Sequence, residues 1–162
     1  MPLSTEDLKH LTAAQGFTEL GMFLDANAEL EEIDAEVRHF PEVLEVRVRI
    51  YRALEKWELM QTVAKKLTEH DPENPRWPLD WAFATRRADS LDAARRILVE
   101  AWKVHEKEPL FPFNIACYMC QLGQVEIAKG MLEVAFKMDR GMRMMALDDE
   151  DLRPLWDSIA AL

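Results

Sequence analysis

Intervals of 34 residues separate Gly21, Glu55, Asp89 and Gly123, and each of these positions is embedded in the same pattern of large and small side chains. Two residues further on stand Phe23, Trp57, Leu91 and Val125; then come Ala26, Met60, Ala94 and Ala128, then Leu30, Ala64, Leu98 and Leu132, then Ile33, Leu67, Ala101 and Ala135. Offsets of three and four place these columns on one helix face. Upstream of the pivot, Ala14, Val48, Ala82 and Ala116 form a column of small residues, with Phe17, Tyr51, Thr85 and Met119 three residues later on a second helix face. The few residues between the two faces form a tight turn, so the helices of each unit are antiparallel. Small side chains at the contact let helix axes approach to about 8–10 Å, and the large columns fill the space beside it. A fixed period of this length is the signature of a repeat architecture rather than of a layered domain.

The units run 7–40, 41–74, 75–108 and 109–142, with no linker long enough to separate two domains. Five glycines in 162 residues leave little room for hairpins or phosphate loops, so the expectation is an all-α chain. Pro78 and Pro112 recur at one unit position, in the first turn of the first helix, where a missing N–H breaks no intrahelical bond. Repeat stacks leave an apolar end that must be sealed. Residues 149–162 are expected to do this as one helix, with Leu152, Leu155, Trp156 and Ile159 on its inner face and Asp148, Asp149 and Asp151 at its start. Met138, Met142, Met144 and Met145 beside it are expected to fill the sealed core.

A 34-residue helix-turn-helix unit with this layout resembles the tetratricopeptide repeat. The fourth unit carries the resemblance best, in Phe113-Asn114-Ile115-Ala116-Cys117-Tyr118-Met119-Cys120-Gln121-Leu122-Gly123-Gln124-Val125-Glu126-Ile127-Ala128 followed by Ala135, and the second closes with His70-Asp71-Pro72-Glu73-Asn74, similar to the family's usual linker. The early Trp of the family is replaced by His10, Leu44, Pro78 and Pro112, its first Gly by Ala14, Val48, Ala82 and Ala116, and the third unit lacks the closing Asp-Pro. The resemblance implies a right-handed α-α superhelix of four units in a single domain over 7–142, with 143–162 as its C-terminal cap. The stretch Ala146–Trp156 is similar to the terminal helix of small stand-alone bacterial proteins of this type.

The charge balance narrows the partners. Twenty basic against thirty acidic residues give a net charge of −10, a surface that repels nucleic acid and anionic lipid. Residues 1–40 hold nine acids and two bases, 41–142 sixteen of each, and 143–162 five and two, so the acidity sits at the two ends. Met1–Asp7 lacks a basic flank and apolar stretch, no run approaches the ~18 apolar residues of a membrane span, and the two cysteines cannot build a disulfide framework. A cytoplasmic location is expected.

Few residues invite chemistry. Cys117 and Cys120 form a C-x-x-C pair, but His10, His39, His70 and His105 are scattered over different units and complete no four-ligand zinc set. The two thiols fall mid-helix rather than at the helix N-terminus that activates redox cysteines, so packing is expected of them. No paired carboxylates, Ser/His/Asp set or phosphate loop appears, and Asp148-Asp149-Glu150-Asp151 lacks a glycine-hinged ligand loop. No catalytic residue, metal or cofactor is nominated.

What the resemblance implies instead is a concave groove lined by the first helix of each unit. The corresponding positions are Arg49 and Arg52 in unit two, Arg76, Phe83, Arg86 and Arg87 in unit three, and Leu110, Phe113, Asn114, Cys117, Cys120 and Gln121 in unit four. A basic strip beside an apolar one suits an unidentified protein or peptide segment with acidic and apolar residues. The same arginines could equally pair along their own helices, Glu45 with Arg49, Glu55 with Arg52 and Asp89 with Arg86. The Lys and Asn clamp that some family members use on acidic chaperone tails is replaced by Leu11, Gln15, Val46, Arg76 and Asp80. The leading expectation is a non-enzymatic scaffold. Lys107–Asn114 is also similar to the start of a repeat in the small acidic chaperones of type III secretion translocators, and a zinc or thiol redox protein built on Cys117 and Cys120 is a third class.

Overall fold

A computed structural model describes residues 2–161; Met1 and Leu162, the last residue of the expected cap, lie outside the described residues. All regular structure among the described residues is helical, and the chain divides into two compact bodies, one up to Ala84 and one from Thr85 onward. The first body holds α1 (Thr5–Glu19), α2 (Phe23–Glu32), α3 (Pro41–Ala53), α4 (Trp57–His70) and most of α5 (Arg76–Ala88). The second holds the end of α5, then α6 (Leu91–Trp102), α7 (Leu110–Gln121), α8 (Val125–Met138) and α9 (Met142–Asp148), and closes with a 3-10 segment (Glu150–Leu155) and α10 (Trp156–Ala160). Two helices fall, to within a residue or two, in each 34-residue interval read from the sequence.

In the first body a capping box starts α1. The Ser4 hydroxyl accepts from the Asp7 amide at 3.1 Å, and the Asp7 carboxylate accepts from the Ser4 amide at 3.0 Å. The same carboxylate accepts from the Asp34 amide at 2.9 Å, tying the start of unit one to its end. Those donors, the Ser4 side chain foremost, hold the Asp7 carboxyl below its ordinary range. Glu31 receives Arg38 and Arg47, each at 2.9 Å, and Arg47 also donates to the Tyr51 hydroxyl at 3.1 Å.

The pivot column explains itself in the turns. Gly21 and Gly123 have φ of 74° and 78°, and Glu55 adopts φ 55° at the same unit position. In all three turns the next amide reaches back five residues, Met22 to Phe17, Lys56 to Tyr51 and Gln124 to Met119, each at 2.8 Å. That is the Schellman closure, which needs a left-handed residue at its corner. Unit three solves the turn differently. Its pivot, Asp89, stays out of the left-handed region, and Ser90 caps α6 by accepting from the Ala93 amide at 3.1 Å.

Burial follows the columns. Ala14, Val48, Ala82, Ala116, Ala26, Met60, Ala94, Ala128, Leu30, Ala64, Leu98 and Leu132 are all exposed by 1% or less. The Phe23 column is only half-buried, as is Ala101.

Two expectations need correction. The terminal cap is not one helix over 149–162 but the succession α9, 3-10 segment, α10. Pro154 lies inside it, and its ring and missing N–H forbid an α-helical bond to the carbonyl four residues back. Leu152, Leu155 and Ile159 are nonetheless buried, while Trp156 is half-buried and donates its indole N–H to the carbonyls of Ala146 (3.0 Å) and Asp149 (3.2 Å). The methionines are not all core either: Met142 is buried, but Met138, Met144 and Met145 are exposed. The short α9 has too few turns to bury more than one face, which Met142 and Ala146 already occupy at i and i+4.

Candidate interaction surface

In the first body the first helices of successive units converge. Gln15 and Glu19 of α1, Glu42, Glu45, Val46 and Arg49 of α3, and Arg76 at the start of α5 line one open cleft of about 400 Å³. It contains two of the expected arginines, Arg49 and Arg76, and brings three carboxylates to face them. Its walls are therefore mixed in sign rather than basic.

Arg52 and Phe83 come together beside it. The Arg52 guanidinium lies 4.2 Å over the Phe83 ring, and Nη2 donates to the Asp80 carboxylate at 3.1 Å. Phe83 meets Trp57 edge-on at 5.7 Å. Arg76 approaches the same Asp80 at 3.5 Å and stacks over Trp77 at 4.8 Å. Asp80 is buried, and burial raises its carboxyl above the ordinary range even though both guanidiniums pull the other way. Arg52 is thus paired across helices, with Asp80, and not with Glu55 along its own helix.

In the second body Arg86 is held as firmly. Its Nη2 donates to Asp151 Oδ1 at 2.8 Å, its Nη1 donates to Oδ2 of the same carboxylate, and its guanidinium lies 5.3 Å over the Tyr118 ring. The bond to Asp151 raises the already high pKa of Arg86. Arg87 is exposed, and its charge acts on the Tyr118 phenol in the lowering direction; burial outweighs both arginines and pushes that phenol up to about 12. Gln121 donates its side-chain amide to the Asp151 carbonyl at 2.9 Å, and the Cys117 thiol lies 3.6 Å from the Asp149 carboxylate. Phe113 and Cys120 are buried, Leu110 is half-buried, and Asn114 bonds back to the Leu110 carbonyl at 2.8 Å.

The sequence reading missed Asp80, Asp149, Asp151 and Tyr118. Asp80 was within reach as the i+4 neighbour of Arg76, but nothing local links Asp151 to Arg86, 65 residues away. The fold also gathers the donor atoms of Cys117, Asp149 and Asp151 within 4.8 Å of one another. Arg86 already supplies the cation there. Burial and the two carboxylates push the Cys117 thiol upward, the opposite of what a thiolate ligand or redox nucleophile requires.

Comparison with known proteins places the fold. The solved structure of MamA MSR-1 (C2 form) superposes with a TM-score of 0.71 over 81% of this chain and 75% of that one, at 21% identity. Two structures of MamA AMB-1 match at TM-scores of 0.55 and 0.54 and identities of 18% and 17%, covering 83% and 84% of this chain and 92% and 100% of theirs. MamA has the tetratricopeptide-type fold, and this chain shares it. No family model and no curated protein matches the sequence. Among the described residues, no helix is long and apolar enough to cross a membrane.

Proposed function

We propose that the chain is a non-enzymatic scaffold that holds a segment of a protein partner along the faces of its first-in-unit helices, through Arg49, Arg52, Arg76 and Phe83 in the first body and Arg86, Arg87, Asn114 and Gln121 in the second, where the expected Phe113 and Cys117 are buried beneath that face. The observation that carries this reading is the open cleft to which α1, α3 and α5 all contribute. Its walls are charged and only Val46 among the lining residues is aliphatic, so it suits an extended polar segment better than a small apolar ligand. Acidic side chains of the partner would meet Arg49 and Arg76, and a basic one would meet Glu19, Glu42 or Glu45. The half-buried Phe83 and its partner Trp57 offer an apolar anchor nearby.

Photo-crosslinking tests this directly. A photoreactive side chain at Arg49 or Arg76 is expected to capture the partner, whereas the same group at the exposed Lys66 on α4 is not. Capture from Lys66 alone would move the binding face to the second-in-unit helices and end the proposal.

A further inference from the structure

One segment of the second body behaves as a ligand would. Residues Asp149–Leu152 lie against the α7 face that carries Cys117, Tyr118 and Gln121, and they are held there and by Arg86 of α5 through side-chain and backbone oxygens. Arg86 forks onto the Asp151 carboxylate, Gln121 takes the Asp151 backbone carbonyl at 2.9 Å, and Cys117 meets the Asp149 carboxylate at 3.6 Å. Leu152 follows, fully buried. An acidic residue gripped by an arginine fork, a backbone carbonyl read by an amide and an adjacent buried apolar side chain are elements by which an acidic peptide is recognised. Arg86, Cys117 and Gln121 are all groove positions.

We propose that this face is a docking site for an acidic protein segment of the form Asp-x-Asp-Leu, that residues 149–152 occupy it in cis, and that a partner's acidic segment binds by displacing them. This rests on the reading that first-in-unit helices take partner segments. The occupant is built to leave. Its backbone runs as a 3-10 segment, whose hydrogen bonds are poorer than those of an α-helix, and Pro154 keeps it from becoming one. Of the four consecutive acids Asp148 to Asp151, Arg86 pairs with Asp151 and the exposed Arg153 approaches Glu150 at 3.5 Å, while Asp148 and Asp149 add like charge beside them. The Arg86 and Asp151 side chains keep 25% and 24% of their surface in solvent, so the pair is open to competition and to salt. A partner segment with the same charge pattern offers the fork an equivalent carboxylate and competes for it.

The test uses the full chain and a fluorescein-labelled peptide with the sequence of residues 147–153, followed by anisotropy. Asp151→Ala, which removes the segment's hold on the fork and so raises the fraction of molecules in which residues 149–152 have lifted away, is expected to bind the peptide about tenfold more tightly than the unaltered chain. Adding Arg86→Glu should abolish that binding. In the unaltered chain, saturating peptide should speed amide hydrogen exchange at Asp151–Leu155, a readout that does not depend on the variants folding. Equal affinity for Asp151→Ala and the unaltered chain, retention of binding with Arg86→Glu, or exchange at 151–155 unmoved by the peptide would each overturn the proposal. None of these results bears on crosslinking from Arg49 and Arg76, which lie in the first body, so the two readings fail separately.

Discussion

Glu55 stands where units one and four place glycine, and this makes the sign of a substitution predictable from backbone geometry alone. At φ 55° a side chain brings its Cβ against the following carbonyl, at roughly 1–2 kcal/mol per residue. Glycine removes that strain but loses more freedom on folding, which offsets about 0.5–1 kcal/mol. Glu55→Gly should therefore stabilise the chain by about 0.5–1 kcal/mol, a shift of a few degrees in melting temperature for a chain of this size. The same column supplies its controls. A Cβ built at Gly21 or Gly123 meets nothing within 4 Å, so Gly21→Ala and Gly123→Ala lose only the backbone component and should destabilise by a similar amount. Asp89 lies outside the left-handed region, so Asp89→Gly gains no relief of strain and should destabilise by about 0.5–1 kcal/mol. Urea unfolding followed by circular dichroism measures all four. Stabilisation by Asp89→Gly comparable to that by Glu55→Gly would show that something other than the sign of φ governs these turns.

The remaining predictions concern the cap, the thiols and the ionisable pairs. Trp156→Ala should cost about 3 kcal/mol, toward the low end for a tryptophan because the ring is half-buried, whereas Trp156→Phe should cost only about 1 kcal/mol for the lost N–H bond to the Ala146 and Asp149 carbonyls. Equal losses in unfolding experiments would remove the ring's packing from the account. Cys117 should react with a thiol reagent only after denaturation, since burial and Asp149 hold its proton on; rapid labelling of the native chain, or stoichiometric zinc in the purified protein, would contradict this. His10 donates its Nδ1–H to the Glu29 carboxylate at 2.7 Å and its pKa is raised above 6.5 by that bond, so its contribution is fully present below pH 6.5 and is lost as pH rises through the folded-state value. The difference in urea midpoint between the unaltered chain and His10→Gln should shrink on going from pH 6 to pH 9. Asp7 runs the other way: its pKa is lowered, so its stabilisation is present above about 3.8 and disappears as pH falls through the folded-state value, and Asp7→Asn should narrow the gap to the unaltered chain in acid.

How much of this was legible in the sequence depends on how local the cause is. The helix pairs, their register and their buried columns follow from offsets of three, four and 34 residues, because a helix repeats its faces and a repeat stack reuses one interface. The left-handed corners at Gly21, Glu55 and Gly123 were not read from the sequence, where these positions marked only the period; their sign of φ came from the structure. The cap was half legible. The burial of Leu152, Leu155 and Ile159 could be read from their spacing, but their break into a 3-10 segment follows from Pro154, which a period-of-helix reading overlooks. The pairing of the candidate arginines was not legible at all. The arginines could be enumerated, yet their partners, Asp80 for Arg52 and Asp151 for Arg86, come from 28 and 65 residues away. A charged side chain pairs with whichever opposite charge the folded chain brings within a few ångströms, and in a sequence with fifty charged residues that choice belongs to the tertiary structure alone.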